Sequence, residues 1–113
     1  MRRILLAALL AVSAAVFLIP AAQADEPLII TLSIKDNRFD QPRLEVPAGK
    51  KFVLLVRNLD GKAEEFESRS LKLEKIVPAG KEVKFNVGPL KAGEYSFFGE
   101  YHEKTAQGVM VAK

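Results

Sequence analysis

The chain has no cysteine and no tryptophan, one histidine and two methionines among its 113 residues. Without cysteine there is no disulfide and no thiolate, so the domain must hold itself by packing alone. The missing thiolate also removes a blue-copper centre, whose copper sits on a cysteine sulfur, and with it long-range electron transfer through such a centre. A single histidine, His102, leaves little for hydrolytic catalysis, and neither Ser68 nor Ser70 lies in a nucleophile motif. The expectation is an accessory protein rather than an enzyme. Sustained helical periodicity is missing as well, which argues against a helical bundle.

An excess of charge of one sign is also lacking. The formal net charge is +3, but Arg2 and Arg3 stand at the start of an apolar leader. Residues 4–19 are nearly all Leu, Ala, Val, Ile and Phe, and Ala22-Gln23-Ala24 gives the small-x-small pattern of a signal-peptidase site. The expected organisation is a cleaved secretory signal peptide over 1–24 and one domain over 25–113, placed in the periplasm. The domain then carries 15 basic and 14 acidic residues, which gives no footing for nucleic-acid binding.

What remains is β pattern throughout. Leu28, Ile30, Leu32 and Ile34 alternate with neighbours of the other face, as do Val83, Phe85 and Val87. Phe52 to Val56 is apolar on both faces, as in a strand covered on each side. Asn58-Leu59-Asp60-Gly61 and two Pro-Ala-Gly-Lys segments, at 47–50 and 78–81, mark turns. About seven short strands with turn signals every eight to twelve residues predict an all-β, Greek-key β-sandwich.

Two polar stretches stand out from this pattern. Glu64-Glu65-Phe66-Glu67 puts three carboxylates in four positions, with Glu65 and Glu67 on one face of a strand and Glu64 and Phe66 on the other. Phe66 is expected in the core. Residues 99–108 hold Glu100, His102 and Glu103 between an aromatic strand and an apolar one. Carboxylate oxygen and imidazole nitrogen suit divalent iron, manganese, zinc or copper. Met110 lies within a strand and is expected as core filler rather than as a ligand. Phe97 and Phe98 are also assigned to core packing.

The arrangement of Asn58, Glu65-Phe66-Glu67, Glu74-Lys75, Pro78-Ala79-Gly80, Gly93-Glu94-Tyr95, Gly99-Glu100-Tyr101-His102 and Gly108 resembles the cupredoxin-like domains of bacterial iron-uptake systems. These include periplasmic proteins encoded beside ferrous-iron permeases and the N-terminal domain of EfeO-like proteins. The likeness runs from Ile30 to Val111. It implies a cupredoxin-like sandwich whose metal region lies at one end, where the segment 64–67 meets the loop 99–108. The implied metal ligands are Glu65, Glu67, Glu100 and His102, with Glu64 and Glu103 as outer or alternative ligands. The implied cofactor is a divalent ion, iron or copper. The implied partners are a membrane iron permease and other periplasmic components of the uptake system, the membrane being reached only through them. The sequence departs from some of these domains in lacking cysteine near Phe39 and around 98–99. Two other roles fit the same residues: an interaction module docking on a membrane transport partner, and a periplasmic copper-binding or delivery protein.

Overall fold

The structure is a computed structural model that describes residues 11–16 and 26–113. The expected leader over 1–24 falls outside the described residues except for 11–16. Among the described residues no helix is long and apolar enough to cross a membrane.

Among the described residues nine strands form two sheets. They are β1 (Ile29–Lys35), β2 (Arg38–Phe39), β3 (Arg43–Val46), β4 (Phe52–Asn58), β5 (Glu64–Ser68), β6 (Leu73–Val77), β7 (Glu82–Val87), β8 (Gly93–Gly99) and β9 (Gln107–Ala112). One sheet has the order β2-β1-β4-β7 and the other β3-β9-β8-β5-β6. Both are mixed: β1 lies parallel to β4 and β3 parallel to β9, and the remaining pairs are antiparallel. The expected sandwich is present, with nine strands in place of about seven. The two-residue β2 was hidden because Asp36-Asn37 ends the apolar alternation. Both residues take positive φ, 52° and 59°, and so turn the chain straight back against β1.

The alternation in the sequence sets what each sheet buries. Leu32, Ile34, Leu54, Val56, Phe85 and Val87 face inward from the first sheet, and Leu44, Phe66, Val77, Phe97 and Met110 from the second. Phe66 lies at the centre of an aromatic cluster. It stacks on Phe97 with ring centroids 5.5 Å apart and meets Phe39 edge-on at 6.0 Å and Phe85 at 5.2 Å. Met110 is fully buried, as expected of core filler. Phe98 is not core: it lies half-buried on the outer face, beneath the Arg69 guanidinium at 5.0 Å. Strand alternation sends it opposite to Phe97.

Because Phe66 is inward, its flanking residues Glu65 and Glu67 are outward. The period that builds the core therefore also builds the site. Truncating Phe66 to Ala should cost about 3–5 kcal/mol, since it empties the middle of the aromatic cluster. Urea unfolding measures this; a loss below about 1 kcal/mol would contradict the central role given to this ring.

Candidate metal centre

The hairpin β5–β6 puts Glu67 directly opposite Glu74 and Glu65 opposite Ile76. On the other side of β5, Phe66 pairs with Gly99, the last residue of β8, and a single 3₁₀ turn, η1 (Glu100–His102), follows at once. Glu100 is thereby delivered next to Glu65. Glu65, Glu67, Glu74 and Glu100 each offer a carboxylate oxygen within 4.8 Å of the others. Glu65 and Glu67 are half-buried, while Glu74 and Glu100 are exposed.

Four carboxylates at this spacing share hydrogen bonds, lose solvent and repel one another, and together these displace their proton affinity. The Glu65 carboxyl is raised from 4.5 to about 7, first by its hydrogen bond with Glu74, then by loss of solvent and by Glu100. Glu67 is raised as well, chiefly by desolvation and then by Glu100 and Glu74, with Arg69 opposing. The neutralising charge nearby is slight. Arg69 Nε lies 3.8 Å from Glu67, on a side chain that is 78% exposed. Lys75, which follows Glu74, points through to the other face, where its ammonium donates to the Lys84 carbonyl.

Glu64 behaves differently. It is 1% exposed, the inward partner in the alternation, and its carboxylate is fully engaged. Oε1 accepts from the backbone N–H of Glu65 at 3.0 Å and of Tyr101 at 2.9 Å. Oε2 lies 2.6 Å from His102 Nδ1. Buried carboxylates persist only when their lone pairs are used in this way. Gly99 makes the room: a Cβ there would stand 2.6 Å from Glu64 Cδ and 2.8 Å from the buried Ala106 Cβ. The neighbouring turn is fixed by Asn58, whose side chain donates to the carbonyls of Lys62 and Val77 and accepts from the Asp60 N–H. Asp60 in turn accepts from the backbone N–H groups of Asn37 and Asp36, which holds its carboxyl below the usual range.

Of the residues expected as ligands, the structure brings together Glu65, Glu67 and Glu100. It adds Glu74 to them and turns His102 Nδ1 to Glu64. Glu103 is exposed and is not among the clustered carboxylates. Glu74 was missed because its place depends on the β5–β6 register. The signal was a four-residue turn, 69–72, between two segments carrying Glu in the same phase. A concavity of about 600 Å³, lined in part by Leu28, Lys50, Phe52 and Val87, lies where β4 begins and β7 ends and includes none of the four glutamates.

A family model described as the cupredoxin-like domain matches residues 4–112. The chain belongs to the cupredoxin-like domain family. An uncharacterized protein of Rickettsia prowazekii is 39% identical over 92 residues, covering 81% of this chain and 74% of that protein. Among solved structures, auracyanin A, a blue copper protein of Chloroflexus aurantiacus, superposes with a TM-score of 0.66. Its identity is 15%, over 78% of this chain and all of that one. Amicyanin from Paracoccus versutus gives 0.61 at 14% identity, over 80% of this chain and 87% of that one. At such identities the likeness shows the fold. A thiolate-bound copper centre does not fit this cupredoxin-like chain, which has no cysteine and whose one histidine is engaged by Glu64 through Nδ1.

The cluster predicts a pH dependence. A carboxyl with a higher pKa in the folded than in the unfolded chain stabilises the fold while protonated. For Glu65 that contribution is whole below about 4.5 and is lost as pH rises through about 7. Glu67 acts in the same direction. The metal-free protein should therefore unfold at lower urea concentration at pH 8 than at pH 5.5, and Glu65→Gln should flatten the difference. Stability rising over that interval would contradict the cluster's mutual repulsion. Gly99→Ala should lower the melting temperature markedly by forcing Glu64 from its seat; an unchanged melting curve would count against the close packing there.

Proposed function

We propose that this protein is a periplasmic metal-binding accessory of iron uptake, and that it holds a divalent ion at Glu65, Glu67, Glu74 and Glu100. The observation carrying this reading is the convergence of four carboxylate oxygens within 4.8 Å on one sheet face. Glutamates set opposite one another across a strand pair destabilise a sheet unless a cation lies between them. Here Glu67 faces Glu74 with only a weak arginine contact in compensation.

An all-oxygen donor set suits hard and borderline ions such as Fe(II) and Mn(II). Copper(I) carriage wants sulfur, and Met110 is buried away in the core. Copper(II) would bind such a site by intrinsic affinity, so supply decides the occupant. The absence of an accessible sulfur ligand among the described residues favours iron over Cu(I) delivery as the cargo reading. Glu65, held partly protonated near neutral pH, gives up its proton when a cation arrives. The role that follows is to accept Fe(II) in the periplasm and pass it to a membrane permease. Docking to such a partner would use the apolar groups bordering the cluster, Ile76 and Tyr101, which are 55% and 48% exposed.

Calorimetric titration with Mn(II), anaerobic Fe(II) and Cu(II) tests the reading. One-to-one binding is expected, with proton release near pH 6.5 and loss of binding in a Glu65→Gln, Glu74→Gln double variant. Binding that survives the double variant, or no binding at all, would contradict it.

A further inference from the structure

Glu64 lies next in sequence to the carboxylate cluster, yet its side chain is on the other side of the sheet and takes no part in the cluster. Two of its three contacts, to Tyr101 and His102, bear on how Glu100 is held. Glu100 sits between two fixed points. Before it, Gly99 is paired with Phe66 in the β5–β8 ladder, and its N–H donates to the Ala106 carbonyl at 2.8 Å. After it, the Tyr101 N–H donates to Glu64 Oε1, and the next side chain, His102, meets Glu64 Oε2. The far end of the turn is closed as the Ala106 N–H donates to the His102 carbonyl at 2.8 Å. Among the described residues, the one hydrogen bond from β5 to the backbone of η1 beyond the ladder is therefore that of the Glu64 carboxylate.

From this geometry we infer that Glu64 is a positioning residue: a metal-independent clasp that fixes η1 on β5 and so holds Glu100 against Glu65 and Glu67. The clasp needs a planar side chain of that length whose one oxygen accepts from both N–H groups while its other terminal atom meets His102, a buried seat and a glycine at 99. All three are present. His102 serves the site from behind, by engaging Oε2 and leaving Oε1 to the two backbone N–H groups. Groups that orient ligands without touching the metal commonly change affinity by about 10–100-fold when removed. Only this last step rests on reading the cluster as a metal centre. The clasp itself is a statement about the loop.

The test compares the wild type with Glu64→Ala, Glu64→Gln and Glu64→Asp by amide hydrogen exchange at Tyr101, by side-chain proximity of Glu100 to Glu65 in NMR spectra, and by Mn(II) titration. Gln keeps an oxygen for both N–H groups and turns an amide to His102, so it should match the wild type in exchange and affinity. Ala should speed Tyr101 exchange by about tenfold or more, remove the Glu100–Glu65 proximity and weaken Mn(II) by about 10–100-fold. Asp, one methylene shorter, should shift in the same direction and carries the test if the Ala variant does not fold. Unchanged Tyr101 exchange in the Ala and Asp variants would overturn the clasp, as would a loosened loop with undiminished Mn(II) affinity. If the wild type binds no Mn(II), the metal reading fails separately. Exchange and Glu100–Glu65 proximity then decide the clasp.

Discussion

The site depends on one buried carboxylate. Glu64 is charged chemistry placed where the sandwich would otherwise seal itself with apolar side chains, and it is tolerated because every acceptor position toward the loop is used. Leaving one buried acceptor of such a set unpaired typically costs about 1–3 kcal/mol, a substantial share of a small domain's stability. That penalty keeps the turn η1 in one place. In this chain hydrogen bonds to Glu64 tie the loop to the strand.

The second constraint is alternation along β5. Within five residues the strand sends Glu64, Phe66 and Ser68 inward and Glu65 and Glu67 outward. The inward set anchors an aromatic core and a clasp, and the outward set forms an acidic face with Glu74 and Glu100. A one-residue slip in this strand would exchange the two sets and destroy both. The aromatic cluster around Phe66 thus protects the chemistry as well as the fold, by fixing the register that separates five carboxylates into one structural group and four exposed or half-exposed ones.

Much of this was legible in the sequence, and the reasons are specific. Period-two alternation made the strands readable, and the inward assignment of Phe66 put Glu65 and Glu67 together on the correct face. Glu100 followed from the loop between the last two strands. Glu74 was not legible, because cross-strand pairing is set by the register of β5 on β6 and not by either segment alone. The partner of His102 was not legible either. It depends on Gly99 leaving a space that Glu64 enters from thirty-eight positions upstream. A lone histidine among glutamates looks like a ligand in sequence, while in the fold its Nδ1 supports the loop. The brief β2 was likewise decided by pairing against β1, whereas the outward place of Phe98 follows from strand alternation once Phe97 is inward.

We assign cation binding to the outer face of β5 and β6, with Glu64 and His102 left intact behind it. Anomalous diffraction from a crystal of the protein soaked in Mn(II) tests this most directly. A single peak is expected among the carboxylates of Glu65, Glu67, Glu74 and Glu100, with His102 Nδ1 still on Glu64. A peak between Glu64 and His102, with their contact broken, would contradict it.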